Sequence, residues 1–220
     1  MNNHFIPEQH IENAAHRLII EFGEQFGSVT APPVPVEWML ESYLGWNLEF
    51  NDLIAKRNLP DALGAIFPVS RRVVIDSSLD STEHPNMEGR YNFTVAHEIG
   101  HIRLHLHLLG GGDIFQDAQK EAILCRDSNK SKKPPIEWQA DRFASYLLMP
   151  TNLVLEAWQE ATKGYEPKFV EKSSNLWRMG TFTQGLAERF KVSQDAMRIR
   201  LEMMNLEIEN KWSLTAVAPG

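Results

Sequence analysis

At 220 residues and 43% hydrophobic content, the chain can bury one good core and a small appended unit. Its single cysteine, Cys125, excludes an intramolecular disulfide and fits a reducing cytosol. A net charge of −7 argues against broad electrostatic binding to nucleic acid or anionic membrane. Met1-Asn2-Asn3-His4-Phe5-Ile6-Pro7 has neither a basic nor an apolar leader region, and no apolar run approaches about eighteen residues, so a soluble cytoplasmic protein is expected.

Ile11 to Phe22 carries the spacing of an amphipathic helix, with Gly23 and Gly27 as its stop. Pro32-Pro33-Val34-Pro35 reads as an extended connector, and Val36 to Tyr43 as a second short helix closed by Gly45. Trp46 to Phe50, Leu63 to Val69 and Arg72 to Asp76 cluster or alternate apolar residues as strands do, with Ser70-Arg71 as a tight turn.

A long helix is predicted from near Glu88 to Leu109, ended by Gly110-Gly111-Gly112. It contains His97-Glu98-Ile99-Gly100-His101, which reads H-E-x-x-H. Residues four apart on a helix differ by about 40° around the axis, so the two imidazoles point the same way and can grip one zinc ion. Glu98 projects toward a water that such a metal would acidify, and can serve as its general base. Gly100 is expected to leave room beside the metal. A zinc site that keeps an open position needs a third protein ligand, usually histidine or a carboxylate. His97, His101 and His107 have the spacing of metzincin ligands, but that arrangement needs glycine at 104, where this chain has Leu104. An unbroken helix turns His107 about 240° away from His101. His105, one turn below His101, is expected to line the cleft or to be a partly buried polar side chain.

Residues 113 to 135 are harder to read. Glu121 to Cys125 has the composition of a short strand, and Ser128 to Pro135 is a basic loop, either simply solvated or touching an acidic patch on a substrate. Cys125 is either a small core hydrophobe or a thiolate that occupies the open metal position and holds the site inactive until oxidised.

Downstream, Ile136, Ala140, Phe143, Ala144, Leu147 and Leu148 repeat with helical period between Pro134-Pro135 and Pro150. Glu137 and Asp141 are four apart and share a face. Glu137 can complete a His-His-Glu zinc site, while Asp141 can accept the outward N–H of a ligand histidine and fix its ring.

Arg90 to His101, then Glu137-Trp138-Gln139-Ala140-Asp141-Arg142-Phe143-Ala144 and Leu147-Leu148-Met149-Pro150, resemble the ImmA/IrrE family of metallo-endopeptidases. The resemblance runs from about residue 11 to about 205 and takes in Val34-Pro35-Val36, Val73-Val74-Ile75-Asp76 and Phe190-Lys191-Val192-Ser193. It implies a zinc protease whose protein substrate is a helix-turn-helix repressor, so that cleavage relieves repression. Gln139 stands where many relatives carry a second carboxylate, which favours Glu137 as the ligand. The sensor-like domain of longer radiation-response relatives is not expected after residue 205.

Thr183 to Leu201 resembles a helix-turn-helix, with Ser193 as N-cap of a second helix carrying Arg198 and Arg200. Lys191 sits where the turn usually wants glycine. Arg198 and Arg200 lie about 200° apart around the helix, so both cannot face one groove, and packing through Leu186, Phe190, Val192, Met197 and Leu201 is expected instead of direct nucleic-acid binding. The expected architecture is α+β: a zincin-like domain over residues 1–160, with a small sheet on the H-E-x-x-H helix, followed by a helix-turn-helix-like segment over 176–205. Two functions fit: a zinc endopeptidase with Glu98 as catalytic base and His97, His101 and Glu137 on the metal, or a non-catalytic module on that scaffold binding DNA or a protein partner.

Overall fold

Ile11, Ala15, Leu18 and Phe22 are all buried, and this stripe turns one face of the first helix, α1 (Glu8–Phe26), onto the core. The computed structural model describes residues 5–53, 62–109, 124–127, 134–162, 168–169 and 180–207. Helix α1 runs through Gly23 and stops only at Gly27, whose φ of 101° lies in the left-handed region where glycine carries no Cβ penalty. Gly23 is therefore not the stop its composition implied. A short helix α2 (Val36–Trp38) follows and widens into a π turn, Met39–Tyr43.

Strands β1 (Asn47–Asn51), β2 (Ala62–Phe67), β3 (Arg72–Asp76) and β4 (Leu124–Asp127) form one mixed sheet in the order β1-β3-β2-β4. β1 and β3 are parallel, whereas β2 is antiparallel to both β3 and β4. Val73, Val74 and Ile75 on the inner strand β3 are fully buried, because helices cover one face and a second apolar group the other. Ile66, Val73 and Ile75 point into the main core, while Ala65, Phe67 and Val74 join Leu53 and Ala62 on the opposite face. That alternation is the two-residue period of a pleated strand. β4 lies later in the chain than the predicted Glu121 to Cys125 strand; residues 110–123 and 128–133, with the three glycines and most of the basic loop, fall outside the described residues, as does the Cys125 side chain.

Helix α3 (Glu88–Leu104) is the axis of the molecule, with buried residues on every side from Tyr91 to Leu104. It does not reach Leu109: His105, at φ −122° and ψ −13°, leaves helical geometry, and Leu106–Leu109 forms a separate turn, α4. Helix α5 (Pro135–Leu148) packs along α3, and α6 (Thr151–Thr162) follows it. Gly100 is what permits the close approach. A Cβ there would lie 3.2 Å from Ala140 Cα, Ala140 O and Phe143 Cβ. Gly100 thus faces α5, and its role is helix packing, not the space beside a metal that its place in the motif suggested.

After β5 (Lys168–Phe169), helices α7 (Gly180–Phe190) and α8 (Gln194–Met203) are joined by a short turn; β6 (Leu206–Glu207) pairs with β5. Leu186, Phe190, Val192, Met197 and Leu201 are buried in the same core as α1, α3 and α5. The turn sits on the start of α3: a Cβ on Gly89 would come within 2.6 Å of the Val192 carbonyl carbon, and Asn92 Nδ2 donates to Lys191 O at 2.9 Å. Lys191 takes φ 55° in place of the usual glycine, and its Nζ lies 2.9 Å from Glu88. Among the described residues no helix is long and apolar enough to cross a membrane.

Candidate metal centre

The four-residue spacing of His97 and His101 brings their rings together on one side of α3, with centroids 4.7 Å apart at 79°. Both are fully buried, and their Nε2 atoms are 3.0 Å apart. Glu137 reaches this point from the first turn of α5. Its Oε2 is 3.2 Å from His97 Nε2, and its Oε1 is 3.3 Å from His101 Nε2. Each of the three offers one ligand atom, all within 4.8 Å of one another, so together they could bind a metal ion. Burial would by itself raise the Glu137 carboxyl, but the His101 and His97 rings beside it outweigh that and hold the group below the ordinary carboxylate range. Glu137 is thus an anion aimed at two ring nitrogens.

The opposite edge of each ring is also engaged. His97 Nδ1 is 2.9 Å from Asp141 Oδ1, one turn along α5 from Glu137. His101 Nδ1 is 3.0 Å from His105 Nδ1, and His105 Nε2 is 2.8 Å from Gln139 Oε1. Burial, chiefly, pushes His105 down to about 4, with Gln139 opposing and the neighbouring His101 adding to the effect, so its ring is neutral near pH 7.

Whether these residues fit a metal can be read from one orphaned atom. Glu137 Oε2 is buried, and among the described residues no hydrogen bond satisfies it. It faces an Nε2 whose ring already donates from the other side. A buried carboxylate oxygen left without a hydrogen bond, with two imidazole nitrogens crowded against the same point, would be costly left empty, and a divalent cation would satisfy all three. Two histidines and one carboxylate with room for a further ligand is a recognised donor set for catalytic zinc. The residues fit.

Glu98 projects from α3 on the side of β2. It is fully buried, and Gly64 is the residue that admits it: a Cβ at Gly64 would stand 2.5 Å from Glu98 Oε1, 3.0 Å from its Cδ and 2.9 Å from Thr94 Cγ2. Real Cβ contacts do not come so close, so strand β2 can pass over Glu98 only with glycine here.

The structure thus brings His97, His101, Glu137 and Asp141 together, with Glu98 next to His97 in the chain. His107 is exposed and no part of the group. His105 and Gln139 make contacts that spacing alone did not indicate, although His105's place one turn below His101 was a usable signal. Gly64 carried no signal, since only the crossing of strand over helix shows its purpose.

A model of a peptidase family described as the IrrE N-terminal-like domain matches residues 71–202, a span holding His97, Glu98, His101, Glu137 and Asp141. Among curated proteins none matches significantly. Among solved structures, a Mycobacterium tuberculosis transcriptional regulator superposes with a TM-score of 0.51 at 17% identity, over 91% of this chain and 57% of its own. At that identity the likeness is one of fold, and the chain spans little more than half of the regulator's length.

Proposed function

Because the chain belongs to the IrrE N-terminal-like domain family, whose model covers well over half of it, we propose that its metallopeptidase-like scaffold is a working zinc endopeptidase. The observation that carries this is the buried meeting of His97, His101 and Glu137 beside Glu98, a set with no use in a purely structural core. His97, His101 and Glu137 would hold the ion, which when bound supplies Lewis acidity toward a peptide carbonyl and acidifies water.

The chain's own groups do the rest. Asp141 accepts from His97 Nδ1–H and so turns the other ring nitrogen inward. Glu98 takes a proton from the attacking water as its oxygen bonds to the scissile carbon, then delivers that proton to the departing amine as the C–N bond breaks. Strand β2, held close by Gly64, keeps the Glu98 carboxylate in one position.

The substrate reading rests on the family resemblance: a helix-turn-helix repressor whose cleavage relieves repression. That a similarly folded protein is a transcriptional regulator is consistent with this setting. No DNA contact is needed, since Arg200 is buried and Arg198 is paired within its own helix. Co-expression with a candidate repressor tests the proposal. Glu98→Gln should retain the metal and stop cleavage, general-base losses being on the order of 10²–10⁴-fold. Relief of repression that survives this substitution unchanged would mean that the protein works by binding alone.

A further inference from the structure

His101 differs from His97 in what holds its outer edge. His97 has a carboxylate, Asp141, which can only accept. His101 has another imidazole, His105, with Nδ1 facing Nδ1 at 3.0 Å. Two ring nitrogens at that distance form a hydrogen bond only when one carries the proton and the other does not. The direction is set at the far end, where His105 Nε2 lies 2.8 Å from Gln139 Oε1. A carbonyl oxygen accepts, so the His105 proton sits on Nε2 and its Nδ1 is left bare. His101 must then donate from Nδ1, which strips its Nε2 of a proton. That Nε2 is the atom 3.3 Å from Glu137 Oε1. The reverse orientation of the Gln139 amide would run every bond backwards and place a proton on His101 Nε2, where a ligand needs its lone pair.

We propose that His105 is a positioning residue for the metal: anchored by Gln139, it accepts from His101 Nδ1–H and keeps the His101 Nε2 lone pair turned toward Glu137 and His97. The inference rests on the reading of His97, His101 and Glu137 as metal ligands. It assigns the relay to side chains that are themselves fully buried, so no water substitutes for either bond from outside. Metal affinity, not only turnover, should depend on residues that never touch the ion.

Two measurements on the full chain decide it. The first is zinc affinity by chelator competition. His105→Phe keeps a flat ring but neither accepts nor donates, and should weaken zinc about 10–100-fold. His105→Gln, whose amide can accept from His101 and donate to Gln139, should recover most of that loss. Adding Gln139→Leu to His105→Phe should cost little more, because the outer bond acts only through the inner one. The second needs no variant: long-range proton–nitrogen NMR of the zinc-loaded protein should show His105 protonated on Nε2 and bare on Nδ1. Zinc bound equally well by His105→Phe, or a His105 proton found on Nδ1, would overturn the relay. If His105→Phe does not fold, the ring-proton measurement decides alone. Undiminished zinc in His97→Ala overturns the ligand set and the relay with it. Zinc that needs His97 but ignores His105 overturns the relay only.

Discussion

The α3–α5 contact and the α7–α8 pair both place charged residues at helical spacing, yet they use them in opposite ways. Between α3 and α5, His97, His101, His105, Glu137 and Gln139 are all buried, and polar contacts of 2.8–3.3 Å join them to one another across the interface. In α8, Arg198 stays half-exposed and pairs along its own helix with Glu202 at 2.6 Å and Asp195 at 3.6 Å. Only Arg200 turns inward, donating to Met149 O at 3.0 Å and Thr151 Oγ1 at 2.9 Å, 4.7 Å above the Tyr146 ring. That contact ties the end of α5 to the start of α6. Burying polar groups is costly, so a cluster of them signals chemistry, whereas one buried cation bonded to neutral acceptors signals a joint.

Glu137 should show the largest effect. Removing it should cost more zinc affinity than losing an outer hydrogen-bond partner, itself worth about 10–100-fold. Glu137→Ala protein that still purifies with stoichiometric zinc, measured by elemental analysis, would mean the α3–α5 cluster is not a ligand set, and would bring His107 back into consideration.

Gly64→Ala should act on Glu98 and spare the metal ligands. A methyl group 2.5 Å from Glu98 Oε1 must displace that carboxylate, strand β2, or both. A misplacement of about 1 Å in a catalytic group can cost on the order of 10²-fold in rate. Cleavage should fall by that order while zinc content stays unchanged. Equal activity in wild type and variant would show that the position of Glu98 is not critical.

Acid should separate the two regions as well. His105 is held down to about 4 in the folded chain, against 6.5 for a free imidazole. As pH falls below 6.5 the unfolded chain takes up a proton that the folded chain refuses, and stability drops by about 1.4 kcal/mol per unit until roughly pH 4. Glu137, depressed in the fold, adds its loss only below the ordinary carboxylate range. The urea midpoint of metal-free protein should therefore fall between pH 6.5 and pH 4, and less so in His105→Gln. The same pH dependence in both proteins would place the acid-sensitive group elsewhere.

Much of this site was legible because its information is local. His97 and His101, or Glu137 and Asp141, share a helix face by spacing alone, and the burial of His97, His101 and Glu137 follows from apolar neighbours at the same period. The pairing of α3 with α5 follows from the need of two helical histidines for a third ligand, with the family resemblance in support. What could not be read depends on how elements cross. Gly64 matters because β2 passes over Glu98, Gly100 because α5 presses on α3, and Gln139 because α3 ends its regular turns at His105. The tight turn and the Ser193 cap of the C-terminal helices were visible in sequence, and the cap accepts from Ala196 N at 3.1 Å as its residue type implied. That Arg200 would be the buried one of the two arginines was not, since an arginine's burial depends on which acceptors lie opposite.

The smallest effects come from those two arginines, and their ratio is the sharpest check on what α7 and α8 are for. Replacing Arg200 leaves Met149 O without its donor and removes a charge-assisted bond to Thr151, and bonds of that kind are worth about 1.5–3 kcal/mol. Arg200→Met should thus lower the unfolding free energy by about 2–3 kcal/mol, since methionine refills part of the volume but donates nothing. Arg198→Ala should cost no more than about 1 kcal/mol, as exposed ion pairs do. Cleavage by the remaining folded protein should be close to wild type in both, because neither side chain reaches the metal centre. An α8 built to read a nucleic acid would reverse this order: Arg198, the accessible one, would carry the function, and its loss would abolish a binding that weakens steeply with salt. Denaturant unfolding of the two variants, set beside a salt series of DNA titrations on wild type, distinguishes the cases. Salt-sensitive, sequence-specific binding lost in Arg198→Ala would make the C-terminal helices a reader rather than a brace for α3.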